Sequence, residues 1–245
     1  MRSSVHYIPL LTTVLAAVFT VELYRRWRAK RPAAYLFWWM LGVGFYGIGT
    51  LTEGLTTVFG WSPLLFTAWY IAGALLGGFP LAQGTVYLVL RRRTADILTV
   101  IFGSIIVVAA GLAIASPINA ELAEPFRLSS AVLEWQWIRN ISPFINGYAA
   151  VFLIGGAIWS AWTYWKKTSV MGARVLGNIF IAIGALLPGI GGSYARAGIV
   201  EVLYVTELVG ILFIWAGYRV MSGDDSISIH AAQRAAKKRE KALAA

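Results

Sequence analysis

Three glutamates sit inside apolar runs of this 245-residue chain, and they are the side chains with the clearest capacity for chemistry. Glu53, Glu201 and Glu207 must each be protonated, hydrogen-bonded or paired if their runs lie in lipid, which makes them functional candidates from the outset. Glu53 falls about two turns from the end of one run. Glu201 falls about one turn inside the start of another, with Arg196 just before it. These three are expected to meet at one mouth of a bundle. There they would form either a cation, amine or proton-linked site, or an ion-paired cluster that fixes helix orientation. Glu207 is expected near the middle of its helix with no Lys or Arg at its depth. Gln83, Asn178, Asn146 and Tyr148 are its candidate partners, serving either proton coupling and ligand binding or an interhelical hydrogen bond of about 1 kcal/mol. Glu22 is spaced to meet Arg25 or Arg26 at i+3 or i+4 and reads as a structural ion pair.

Other chemistries are excluded by composition. The chain has no cysteine, which removes disulfides, thiolate nucleophiles and thiolate metal ligands. Its two histidines, His6 and His230, are expected on opposite sides of a membrane, so haem ligation, histidine-based zinc chemistry and a Ser-His pair are all disfavoured. No metal, cofactor or catalytic residue is assigned, and an enzyme is not the favoured reading. The net charge of +10 follows the membrane and does not mark a nucleic-acid site.

Hydrophobic residues make up 58% of the chain, charged residues 13%, and mean hydropathy is +0.69. Such a composition is solvated by lipid. The hydropathy predicts seven transmembrane helices at 5–23, 33–59, 63–90, 96–116, 142–165, 172–190 and 197–219, an all-α bundle filling residues 1–221. Of the 21 basic residues, all but Arg2, Arg127, Arg139 and Arg196 fall on one side, which the positive-inside rule makes cytoplasmic. The expected topology is N terminus outside, C terminus in the cytoplasm, in the cell membrane. Charge after the first apolar run, rather than before it, favours an uncleaved anchor over a signal peptide.

Within the helices, Gly77-Gly78-Phe79-Pro80 predicts a kink at Pro80 in the third helix. Gly42 and Gly49, Gly177 and Gly184, and Gly210 and Gly217 recur at seven residues, giving smooth faces for helix neighbours, a protein partner or a homo-oligomer. Pro188-Gly189-Ile190-Gly191-Gly192 is expected to end the sixth helix in a tight turn. Among the 11 tryptophans, Trp38, Trp39, Trp69, Trp159 and Trp215 lie deep enough to line a pocket, although packing is the favoured role. Trp27, Trp61, Trp135, Trp137 and Trp165 suit an interfacial belt.

Residues 117–141 form the one sizeable external loop, read as an interfacial segment in preference to a ligand-binding lid, with Ser129 or Ser130 capping a short helix. Residues 222–245 form a basic tail suited to anionic lipid. Ile48 to Leu55 aligns with Ile183 to Ile190, which suggests a parallel three-plus-one-plus-three duplication with the fourth helix as spacer. The seven-helix, N-out plan resembles microbial rhodopsins and sugar-transporting three-plus-one-plus-three proteins in helix count and topology. Rhodopsins hold retinal on a lysine of the last helix, and residues 197–219 contain none.

Three function classes remain. The favoured one is a small-solute or proton-linked transporter or ligand-binding bundle using buried carboxylates. The alternatives are a receptor passing its signal to a partner, and an accessory subunit of a membrane complex.

Overall fold

The computed structural model describes residues 3–168 and 172–243, with side chains for 3–166 and 172–223. Among the described residues, seven helices are long and apolar enough to cross a membrane: α1 Ser4–Ala29, α2 Ala34–Phe59, α3 Pro63–Val89, α4 Arg92–Ala115, α5 Gln136–Lys166, α6 Ala173–Arg196 and α7 Val200–Gly223. The helix of α7 runs on to Leu243. The basic side chains expected to meet anionic lipid, Arg234 to Lys241, lie outside the described side chains. An all-helical chain with seven such segments suits a multi-pass membrane protein.

The helices are strung on tight connections. Gly60 ends α2 at φ +88° and Gly198 follows α6 at φ +99°, a left-handed backbone that L side chains rarely adopt, so each glycine permits the chain to double back. Ser62 caps the start of α3 by accepting from the Leu65 amide at 3.3 Å, with Pro63 at the first turn. Neighbouring helices therefore run antiparallel. Two ends result: a loop end, with the turns at Gly60 and Gly198 and residues 117–141, and a basic end.

Six helices close a ring in the order α1, α2, α3, α5, α6, α7 and back to α1, while α4 packs outside it against α3 and α5. Glycine sets the closest approaches. A Cβ on Gly184 would stand 2.6 Å from the Gly210 carbonyl, one on Gly177 would stand 2.8 Å from the Gly217 carbonyl, and one on Gly49 would stand 3.1 Å from Gly73 Cα. These smooth faces close on helices of the same chain.

Several ring helices are irregular. Tyr70–Leu75 of α3 is wound as a π-helix and the helix breaks over Leu76–Gly78 before restarting at Phe79, with Pro80 in its first new turn. Ala150–Gly155 of α5 is also π-wound. The sixth helix does not end at the Pro188 run. It continues to Arg196 with Pro188 inside it. Proline there deprives the Gly184 carbonyl of its helical donor, and that carbonyl abuts Gly210 of α7, so the freed oxygen meets Cα–H groups of a neighbour.

Residues 117–141 fold back over the loop end through short turns at Ala120–Leu122, Ser130–Val132 and Gln136–Asn140. Ser129 caps the second, accepting from the Ala131 amide at 3.3 Å. Leu128, Val132, Leu133 and Ile138 are buried beneath the loop, while Trp135 and Trp137 point outward. Arg127 ties the segment to α6 through the Ala195 carbonyl at 2.8 Å. The loop thus combines an exposed aromatic face with a packed inner face.

Candidate functional site

Glu53 on α2 and Glu207 on α7 face each other. Both lie about two turns from the loop end, because α2 ends at Phe59 and α7 begins at Val200. The Glu53 residue is only 4% exposed, and its carboxyl neighbours that of Glu207 closely enough for the two to interact directly. Oε2 of each is buried with no hydrogen-bond partner. Two ionised carboxylates have only lone pairs to offer one another. Their contact becomes a hydrogen bond when one of them carries a proton.

Neighbouring helices hold the pair in place. The Trp69 indole N–H of α3 donates to Glu53 Oε1 at 2.9 Å. The Tyr46 hydroxyl of α2 donates to the Glu207 backbone carbonyl at 2.9 Å, pinning α7 to α2 beside the acids. Trp69 reaches Glu53 because the hairpin at Gly60 brings the two to one depth, and the π-wound turn of α3 begins at the next residue, Tyr70.

Both acids line a cavity of about 320 Å³ in the ring, together with Tyr46, Trp69, Asn146 and Arg196. Small residues line it: Gly73, Gly77 and Gly78 at the broken part of α3, Ala149 and Ala150 on α5, and Gly189 and Gly192 on α6, where an added Cβ would meet nothing within 4 Å. A wider vestibule of about 950 Å³ under the 117–141 loop also reaches Glu53, Trp69, Asn146 and Arg196. A third space, about 340 Å³, opens at the basic end between Arg26, Tyr35, Arg174 and Asn178, and Leu153 of α5 borders both it and the acid-lined cavity.

The remaining sequence candidates are distributed elsewhere. Arg196, the last residue of α6, joins the acid cavity, its Nε donating to the Gly192 carbonyl at 3.3 Å. Glu201 does not join it. Its carboxylate stands 3.8 Å from His6 Nε2 at the rim between α1 and α7. Glu207 is not at mid-helix, and Gln83 is not its partner. Gln83 is fully buried between α3, α4 and α5, accepting from the Tyr148 hydroxyl at 2.6 Å and donating to the Ala95 carbonyl and the Thr99 hydroxyl. Asn178 also faces away from Glu207, bonding the Arg174 carbonyl at 2.7 Å beside the basic-end space. Asn146 does line the acid cavity, with its amide on the Ala74 carbonyl at 3.3 Å. Glu22 meets partners across helices: it accepts from the Trp215 indole at 2.9 Å and stands 3.4 Å from Arg219, clasping α1 to α7.

Among the deep tryptophans, Trp69 is the one on the acids. Trp159 is exposed at 59%, Trp38 packs edge-on to Phe79, and Trp39 borders the basic-end space. Reading the sequence for acids alone passed over Tyr46, and it gave Trp69 to packing. Hairpin depth was the available signal for Trp69, since it and Glu53 stand at similar distances from Gly60. Among the described residues, no cluster of His, Cys, Asp and Glu is arranged to hold a metal ion. No protein-family model matches the chain, and no curated protein is significantly similar to it.

Proposed function

We propose that this protein is a proton-linked carrier for a small solute, and that the Glu53–Glu207 pair is the site where proton and solute meet. The observation that carries the reading is a carboxyl pair with two orphaned oxygens lining a cavity in the membrane-spanning ring. Burying an acid in lipid without a salt-bridge partner is costly, and at a site reachable from a vestibule that cost gives the carboxyls a proton to exchange. An accessory subunit calls for a filled interior, and the glycine-lined space around the acids argues against one.

Other features support a carrier. The helices around the cavity are broken or π-wound at Leu76–Gly78 and Ala150–Gly155, where backbone can rearrange. Spaces open toward both ends, with Leu153 between them, as alternating access requires. Ring order supports the parallel duplication as well. The contacts α1 to α2, α2 to α3 and α3 to α5 correspond to α5 to α6, α6 to α7 and α7 to α1, and Gly49 against Gly73 matches Gly184 against Gly210. In this reading the loop end faces outside, the basic end faces the cytoplasm, and the membrane is the cell membrane.

The test is uptake from a mixture. Vesicles containing the purified protein are given a pooled set of small metabolites with and without an imposed pH gradient, and their contents are compared by mass spectrometry. A solute enriched by the wild type under the gradient, and not by the Glu53→Gln, Glu207→Gln double variant, supports the reading. Identical contents contradict it.

A further inference from the structure

The acids do not line their cavity alone. Arg196 lines it too, and among the described residues no carboxylate pairs with this guanidinium. Arg196 is exposed at the mouth, and its Nε bond to Gly192 turns the side chain back along α6 toward the cavity, since Gly192 is itself a lining residue. Ala185, Pro188, Gly189, Gly192 and Arg196 share one helical face, so the guanidinium caps a smooth wall leading inward. The site therefore has two poles: acids about two turns deep and a cation at the rim.

We infer that the solute of this cavity is a zwitterion with an ammonium and a carboxylate on a small apolar body, an amino-acid-like molecule. The inference rests on the carrier reading above and names its substrate class.

Charge balance argues for it. With one proton on the carboxyl pair the site carries one negative and one positive charge, so a molecule with one of each leaves the loaded cavity neutral. A bare amine leaves the cavity neutral only if the carboxyl pair gives up its proton, and it leaves Arg196 without an anion. A bare carboxylate adds a net negative charge and leaves the acids without a cation. Unbalanced charge at the buried acids is penalised in a membrane interior, and Arg196 at the exposed mouth favours an anion by direct, charge-assisted contact. The ammonium has an acceptor's match in the two orphaned Oε2 atoms, and the Trp69 indole, bonded to Glu53 Oε1, holds that acid at the cavity wall. Leu81, Leu153, Leu203 and Ile214 complete an apolar wall for the body of the molecule.

The experiment is titration calorimetry on the full chain in detergent with a matched set. Two zwitterions, phenylalanine and 4-amino-3-phenylbutanoate, differ in the separation of their charges. Phenethylamine carries only the amine, and 3-phenylpropionate carries only the acid. At least one zwitterion should bind roughly tenfold more tightly than both single-charge analogues, the factor a charge-assisted contact provides. Arg196→Gln should then bring that zwitterion down to the amine's affinity while leaving the amine unchanged. Thermal unfolding checks that the variant is folded, and Arg196→Lys should restore part of the preference.

If the amine or the acid alone binds as well as the tighter-binding zwitterion, or if Arg196→Gln weakens all ligands equally, the zwitterion inference is overturned and the carrier reading stands. If none of the four binds, the inference is overturned. The carrier reading then falls with it only if vesicle uptake is also blank.

Discussion

Trp69 of α3 donates its indole hydrogen to Oε1 of Glu53 across the α2–α3 hairpin at 2.9 Å and leaves Oε2 of that buried carboxyl without a hydrogen-bond partner. One oxygen of this buried carboxyl is thereby held by the scaffold and the other is left unpartnered. Replacing Trp69 with Phe keeps a ring in place and removes the donor, orphaning both oxygens. That should cost about 1–3 kcal/mol, seen as a lower unfolding temperature in detergent. Trp159→Phe, on an exposed face, is the control and should change little. Equal unfolding temperatures for the two variants would show that the bond to Glu53 contributes nothing.

Gln83 is predicted to be structural. Its three side-chain bonds join α3 to α4 and α5, away from the acid pair. Gln83→Leu should cost about 1–3 kcal/mol by leaving the buried Tyr148 hydroxyl without its acceptor. Solute uptake per folded molecule should be unchanged, and a selective loss of uptake would return Gln83 to the site.

Two glycines five residues apart on α6 should behave oppositely. A Cβ at Gly184 meets the Gly210 carbonyl at 2.6 Å, whereas one at Gly189 meets nothing within 4 Å. Gly184→Ala is expected to cost about 1–3 kcal/mol by forcing α6 and α7 apart. Gly189→Ala should leave thermal stability alone while narrowing the cavity it lines. Similar melting of both variants would refute the close approach of α6 to α7.

Sidedness is open to labelling because the chain has no native cysteine. Ala120→Cys on the loop should react with an impermeant maleimide added to intact cells. Lys30→Cys, in the turn after α1, should react only after permeabilisation. The reverse pattern would invert the proposed orientation.

The seven spans were legible because lipid demands long unbroken apolar runs, which leave a plain imprint on sequence. The site was legible only in part. Glu53, Arg196 and Glu207 stand out as charges in or beside apolar runs, yet their grouping depends on depth. Pro188 misled the reading of depth. It looks like a helix end, but the bilayer and the glycines of α7 let the helix pass through it to Arg196. That extension moves the start of α7 to Val200 and brings Glu207 level with Glu53. Glu201 and Glu22 were identified as rim and end residues, but their partners, His6 for one and Trp215 with Arg219 for the other, come from helices distant in sequence. Such pairings follow from the closure of α1 on α7, which local spacing does not encode.

The most direct test of the central claim is infrared spectroscopy of the protein in bilayers, in light and heavy water, comparing wild type with the Glu53→Gln, Glu207→Gln double variant. A protonated-carboxyl band is expected at neutral pH in the wild type, shifted in heavy water and missing from the double variant. A wild type without that band, or with a band retained by the double variant, would contradict a proton shared between Glu53 and Glu207.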